Sequence, residues 1–344
     1  MVARGFDRPN LRLCAETFLD EDSKREAVQL WAAGAVKPGI IYAATRSDSE
    51  WYAETLAELG LRASAYHAGL PGAERDSVQA AFMADELDVV VATTAFGMGI
   101  DKPNVRFVLH ASVAESLDSY YQEIGRAGRD GEPAEAMLAY RPEDLGLRRF
   151  FAAGTPDHIV LQRVATLLRL AGHPVTGVEL AEAARLSRTR LTGVLNLLEE
   201  VGALDTGADG RLSAPPNGPE PAAAADAAVE LAEGRQRVER SRIEMIRGYA
   251  ETTGCRRQYL LGYFGEELPA PCGNCDICAA GLAIEQPSGD ESSYPLNSRV
   301  AHREWGEGTV LRQDGDRIVV LFDEVGYRTL LLEAVAAAGV LVAI

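Results

Sequence analysis

Between residues 36 and 140, short and wholly apolar runs alternate with longer stretches of helical periodicity. This alternation confines the segment to a parallel sheet with helices on its faces, because a strand covered on both sides needs apolar residues at every position. Gly39–Ala44 (GIIYAA), Ala63–Tyr66, Leu87–Ala92 (LDVVVA), Val105–His110 (VRFVLH) and Ala136–Tyr140 read as the strands. Asp48–Leu59, Gly72–Ala84 and Ser116–Ile124 read as the helices between them. Together they predict one doubly wound α/β domain over residues 1–150.

The style of the chain then changes. Ile159–Leu170 is an amphipathic helix stopped by Gly172, Thr176 with Glu179 opens another through a capping box, and Ser187 caps a third. A glycine-punctuated hairpin over Ala203–Ser213 closes the unit, so 151–215 resembles a winged-helix module. Pro215–Pro221 is a linker into a long helix reaching Tyr249, which leads a helical, cysteine-bearing module over 216–284. After a polar linker at Glu285–Ser293, short alternating strands and glycine turns over 294–344 predict a small β-barrel. The 344 residues leave room for two to three domains at roughly 150 residues each.

Lys plus Arg is 34 and Asp plus Glu is 51, a net charge of −17, so any contact with nucleic acid must come from a local patch and not from the global field. Only Lys24, Lys37 and Lys102 are lysines, so an arginine gains meaning here only from its spacing. No run of about 18 apolar residues exists and no apolar segment follows the charged N-terminus, which points to a cytoplasmic protein with no membrane partner.

Of five cysteines, Cys14 stands apart and reads as a small core residue, while Cys255, Cys272, Cys275 and Cys278 crowd into one segment. Three of them follow C-x-x-C-x-x-C spacing, with Gly273 and Asn274 suited to the tight turn. Four thiolates match structural Zn²⁺ with no position left open for catalysis; an iron–sulfur cluster is the alternative.

Two further stretches carry chemistry. VVATTAFGMGIDKPNVRFVLH (Val90–His110) runs from a strand through a glycine-rich loop into another strand. YYQEIGRAGRDG (Tyr120–Gly131) sets Arg126 and Arg129 three residues apart at a helix end, with glycines at 125, 128 and 131. Two guanidiniums held this way suit the developing charge of a transferring γ-phosphoryl group.

With FDRPNL (Phe6–Leu11), GIIYAATR (Gly39–Arg46), AYHAGL (Ala65–Leu70), CRRQYLLGYF and PCGNCDIC, these stretches resemble the RecQ family of superfamily 2 DNA helicases. The resemblance implies a RecA-like second motor domain, a helical zinc-binding module and an ATP-dependent helicase stepping 3′ to 5′ in DNA repair or recombination. It implies that Arg129 is the arginine finger, that Arg126 is a second γ-phosphate or coupling contact, that Asp101 is an acid near the ribose or in the coupling network, and that Gln122 and Gly99 belong to the nucleotide side. Arg46, Ser47, His67, Thr93 and Thr94 would contact the backbone of single-stranded or forked DNA; their hydroxyl, imidazole and guanidinium groups bind phosphate without reading sequence. ATP and Mg²⁺ would be the cofactors of the full enzyme.

Two departures from the family pattern matter. No lysine is placed for a Gly-Lys-Ser/Thr phosphate loop, since the three follow Ser23, Val36 and Asp101. The resemblance therefore implies a first RecA-like domain as a missing partner, and predicts that this chain alone does not hydrolyse ATP. The winged-helix-like unit also stands between motor and zinc module, where Arg188, Arg190 and Asn196 would either touch phosphates or merely pack. VAHREWGEGTVL (Val300–Leu311) resembles the SH3/Tudor-like tail barrel of some superfamily 1 helicases, a protein-docking element; Trp305 there is either a recognition aromatic or barrel core. The alternative to a motor is a zinc-stabilised DNA- or protein-binding regulator derived from one.

Overall fold

The computed structural model describes residues 5–94, 96, 100–146, 157–283, 294–295, 298–314 and 317–344. Its contacts divide the chain into two units: Met1–Arg149 with Ser241–Ile344, and Phe150–Arg240. Within the first unit the cysteine segment shares the core of the sheet, while the tail has a core of its own around Val300, Val310, Ile318, Val320 and Phe322.

That sheet has six parallel strands: β1 (Leu11–Thr17), β2 (Gly39–Tyr42), β3 (Ala63–Tyr66), β4 (Val89–Ala92), β5 (Phe107–His110) and β6 (Ala134–Tyr140), in the order β1-β6-β5-β2-β4-β3. Side chains alternate across it as strand geometry requires. Ile40, Tyr42, Val90, Ala92 and Val108 enter the core on one face, and Ile41, Val89, Val91, Phe107 and Leu109 the core on the other. Helices α1 (Glu21–Gly34) and α2 (Arg46–Glu58) cover the second face through Val28, Ala32, Tyr52 and Leu56. Helices α3 (Gly72–Met83) and α4 (Leu117–Ile124) cover the first through Phe82, Leu117 and Tyr120. Each such fully buried side chain contributes about 1.5–3 kcal/mol. The doubly wound sheet of the sequence reading is present, enlarged by β1 and α1, which precede residue 36.

Strand β1 is the sheet's edge, and the C-terminal region covers it. Arg256 donates to the Ala15 carbonyl and Arg257 to the Leu11 carbonyl at 2.5 Å, while the Ala15 amide donates to Asp276 at 3.0 Å. Leu13 also bridges to Cys275. These bonds satisfy backbone groups that an open edge would leave unpaired. Ile243, Ile246, Tyr249, Cys255, Tyr259, Leu260 and Ile277 complete the same core.

The tail contributes a five-stranded antiparallel sheet of β9 (Arg299–His302), β10 (Gly306–Asp314), β11 (Arg317–Phe322), β12 (Gly326–Leu331) and β13 (Leu341–Ala343). Among the described residues β12 and β13 are its two edges, so strand pairing does not close it into a ring. Tyr327 joins it to the core of the six-stranded sheet: its ring stacks on Tyr263 at 5.4 Å and its amide donates to the Ser241 hydroxyl.

The second unit packs three helices, α5 (His158–Ala171), α6 (Gly177–Ala184) and α7 (Arg188–Glu200), around Leu161, Val164, Leu168, Leu180 and Leu198. A two-stranded ribbon follows, β7 (Asp205–Thr206) with β8 (Leu212–Ser213). The Thr176–Glu179 capping box is formed in both directions. Long helix α8 (Pro221–Glu251) adds Ala224, Ala225 and Ala228 to this core. The 285–293 linker lies outside the described residues. No described helix is long and apolar enough to cross a membrane.

Candidate functional site

Parallel strands give the sheet two chemically distinct edges, and the candidate residues divide between them. At the amino edge, the segment entering β5 lies beside the one entering β2, with the Arg106 amide donating to Pro38 at 2.7 Å. The turn after α4 packs there: the amides of Gly128 and Asp130 donate to Val105 and Pro103. This places Arg129 next to the end of the β4–β5 loop, where its guanidinium donates to Asp101 Oδ1 at 2.7 Å and to the Ile100 carbonyl at 3.1 Å. The pair faces solvent, with the Asp101 side chain 87% exposed. Such a contact is worth at most about 1 kcal/mol, so it is easily exchanged for a stronger anion.

Residues from the start of the unit hold this turn. Arg8 donates to the carbonyls of Gly125, Ala127 and Gly128, and Asn10 Nδ2 to those of Gly128 and Glu132. Arg106 pairs with Asp130 and donates to Pro133. Gly128 sits at φ +59°, and a Cβ there would come within 2.5 Å of Asn10 and 2.9 Å of the Glu132 carbonyl. Only glycine fits without displacement. Arg126 is half-buried. Gln122 is exposed on α4, and Gly99 lies outside the described residues.

The other candidates gather at the carboxyl edge, where Tyr42, Ala92 and Tyr66 end adjacent strands in register. Thr45 caps α2 by accepting from the Asp48 amide, which leaves Arg46 and Ser47 exposed in its first turn. Thr93 and Thr94 follow β4, the Thr93 amide donating to Tyr66. His67 is only 3% exposed: Nδ1 accepts from the Gly69 amide at 3.2 Å and Nε2 meets Glu50 at 2.9 Å. Both ring nitrogens are engaged, so His67 shapes this loop and presents no free donor. The Arg46 guanidinium lies against Gly69, where a Cβ would meet Nη1 at 2.8 Å.

The four clustered cysteines converge, with all four Sγ atoms within 4.8 Å of one another. A tetrahedral Zn²⁺ with Zn–S bonds of about 2.3 Å requires S···S edges of about 3.8 Å. Cys272 and Cys278 stand 3.9 Å apart. Backbone amides of Cys272, Asn274 and Cys278 point at the sulfurs of Cys255, Cys272 and Cys275, as thiolate ligands need. Hydrogen bonds from Cys255 and Cys272 hold the Cys275 thiol far below its ordinary value, while hydrogen bonding to Cys255 and Cys275 pushes Cys272 up. Burial first, then its bond to Cys275, raises Cys278 to about 11. Sulfurs this crowded cannot all ionise without a cation, so the donor set fits zinc.

In the second unit, Arg188, Arg190 and Asn196 are exposed on α7, and Arg190 lies 3.8 Å from Asp157. In the tail, Trp305 is half-buried, stacked on His302 at 4.0 Å and with the Arg328 guanidinium 5.7 Å from its ring centre. Arg8, Asn10, Arg106, Arg256 and Asp276 escape a reading of the sequence, because their partners lie far along the chain. The usable signal is that all five fall within the quoted stretches: Arg8 and Asn10 in FDRPNL, Arg106 in Val90–His110, Arg256 in CRRQYLLGYF and Asp276 in PCGNCDIC.

Residues 23–131 match the helicase conserved C-terminal domain, and residues 223–279, which include all four clustered cysteines, match the RecQ zinc-binding domain. The chain is 36% identical over 274 residues to the ATP-dependent DNA helicase RecQ of Pasteurella multocida, covering 79% of this chain and 31% of that protein. To the RecQ helicase of Bacillus subtilis it is 30% identical over 277 residues, covering 80% of this chain and 34% of that protein. The chain thus spans about a third of the length of these relatives. A DEAD box protein structure from Methanococcus jannaschii shares 23% identity at a TM-score of 0.37, over 41% of this chain and 39% of that one.

Proposed function

The chain belongs to the RecQ helicase family, and on that footing we propose that it forms the arginine-bearing half of an ATP-driven DNA motor. One observation carries the proposal: a single loop begins at the carboxyl edge with Thr93 and Thr94 and ends at the amino edge with Asp101 on Arg129. A loop anchored at both ends couples what binds at one edge to the guanidinium at the other.

In this reading Arg46, Ser47, Thr93 and Thr94 bind phosphates of a single strand, with His67 and Glu50 holding the loop on which Arg46 rests. Asp101 keeps Arg129 extended toward solvent until a stronger anion competes for it. Arg129, with Arg126, then meets the charge of a terminal phosphate. Magnesium-bound ATP, held chiefly by a first RecA-like domain as partner, would supply the phosphoryl group. Gln122 and Gly99 belong to the same side by family pattern. The four cysteines hold structural zinc, whose contribution is to fold the segment that covers β1. Stepping 3′ to 5′, work on forked DNA in repair and recombination, and a place at the nucleoid follow from the family. The helical unit lends DNA contacts through Arg188 and Arg190, and the tail serves as a protein-docking element.

The test is to combine this chain with a polypeptide bearing a Gly-Lys-Ser/Thr motif from the same helicase and measure DNA-stimulated ATP hydrolysis and unwinding. Neither part alone should turn over ATP. Arg129→Ala should lower turnover by about three orders of magnitude. Undiminished turnover in that variant rejects the finger assignment. DNA binding without any stimulated hydrolysis favours the regulator instead.

A further inference from the structure

We propose that Lys102 is a positioning residue for Arg129: its buried ammonium pins the segment Ile100–Val105 to the turn after α3, and that anchor sets where Asp101 and the Ile100 carbonyl hold the guanidinium. Asp101 reaches through solvent to Arg129, whereas its chain neighbour Lys102 is only 3% exposed. Lys102 Nζ donates to Asp85 Oδ1 at 2.7 Å and to the Met83 carbonyl at 3.3 Å, with the Phe82 ring centre 5.5 Å away. Asn104 Nδ2 donates to the same Asp85 oxygen at 3.1 Å. An ammonium out of water is strongly disfavoured without such partners, so Lys102 holds its segment in place by holding them.

The acceptor is itself unusual. Asp85 follows Ala84, the C-cap of α3, with φ +60°, a left-handed conformation in which glycine is favoured. The Glu86 amide closes this turn on the Ala81 carbonyl at 2.9 Å, so ending the helix requires no carboxylate. What aspartate adds at this position is the oxygen that Lys102 and Asn104 share. The other side of the segment is held by the turn after α4, whose Gly128 and Asp130 amides donate to Val105 and Pro103. Ile100–Val105 is thus clamped between two turns, and Lys102 is the contact of the first clamp that stands next to Asp101.

This inference rests on the reading above in which Arg129 meets a phosphate, but its first test is independent of that reading. The arginine side chains of the isotope-labelled chain are followed by NMR, with Arg129→Ala identifying the Arg129 resonances by their loss. Asp101→Ala should displace those resonances and so mark the unpaired position. Lys102→Met keeps the stem and removes the ammonium; it should move Arg129 most of the way to that position while the Arg8 resonances stay in place. A lysine that merely packs would change the melting temperature and leave Arg129 where it is. Arg129 resonances unmoved in Lys102→Met overturn the proposal. Should that variant fail to fold, Asp85→Gly decides in the same way, since glycine suits φ +60°. Resonances that stay put in Asp101→Ala also overturn it, because no pair would then exist to be positioned. In the chain combined with its Gly-Lys-Ser/Thr-bearing partner, Lys102→Met should lower kcat about tenfold or more with KM within about twofold, because a group is misplaced and no ligand contact is removed. An unchanged kcat beside a displaced Arg129 overturns the positioning role. Undiminished turnover in Arg129→Ala instead rejects the functional reading, and the spectra alone then decide on Lys102.

Discussion

Arg256 grips Asp276 through Nε, 2.7 and 2.9 Å from its two carboxylate oxygens, with the guanidinium only 6% exposed. The same two side chains bond both backbone groups of Ala15, so one ion pair fastens the cysteine segment to the edge strand of the motor sheet. Removing Asp276 leaves the Arg256 charge buried, removing Arg256 leaves the half-buried Asp276 carboxylate without its partner, and either change leaves a group of the strand edge unpaired. Arg256→Ala should therefore cost about 3 kcal/mol in urea unfolding of the first unit. A loss under about 1 kcal/mol would mean that the pair does not fasten the two segments.

Zinc removal should act on the same unit. Trp31, Trp51 and Trp305 are the chain's three tryptophans and all belong to it, so tryptophan fluorescence follows its unfolding alone. A chelator strong enough to strip zinc should lower that melting temperature, and Cys272→Ser should reproduce the loss without chelator. The second unit has its own core and should keep its helical signal. A fluorescence melt that ignores the chelator removes the metal from the account.

Cys14 supplies a pH test. Burial, its largest cause, raises this thiol to about 11, from an ordinary value of 9.0. A group that holds its proton more tightly when folded stabilises fully below the unfolded value, and that contribution is lost as pH rises from about 9 toward 11. At about pH 8 its alkylation should run roughly a hundredfold slower than that of a free thiol, since only the thiolate reacts. Mass spectrometry of the zinc-loaded protein reads the rate, and labelling at the speed of a free cysteine would contradict the burial.

Gly128→Ala tests how the turn that carries Arg129 is built. The new Cβ must tolerate a left-handed φ of +59° and close approaches to Asn10 and Glu132. The cost should be about 1–3 kcal/mol, borne by the turn that carries Arg129. Thermal melting should report that loss, and arginine side-chain NMR should show the Arg129 resonances displaced. Arg129→Ala, by contrast, gives up only a solvent-facing pair and should leave the melt nearly unchanged.

The parts of this protein visible in the sequence are those whose signal is short-range. Strands β2, β4 and β5 are continuous apolar runs because both faces are covered, and the four cysteines announce themselves by spacing. Strand β1 escapes such a reading because LRLCAET is a half-exposed edge whose cover arrives from Arg256 and Arg257, more than 240 residues away by the Ala15 and Leu11 carbonyls they bond. His67 reads in the sequence as a phosphate contact, yet Glu50 and Gly69 occupy both its nitrogens.

Residue type and local spacing alone determined the parallel sheet, the glycine-framed arginines and the metal ligands, because hydrophobic periodicity and turn chemistry act over a few residues. Tertiary structure alone decided that Asp101 meets Arg129, that Arg8 and Asn10 hold the turn after α4, and that the cysteine segment closes the edge of the six-stranded sheet. Those pairings join positions 28 to more than 240 residues apart, and only the packed core brings them within hydrogen-bonding reach.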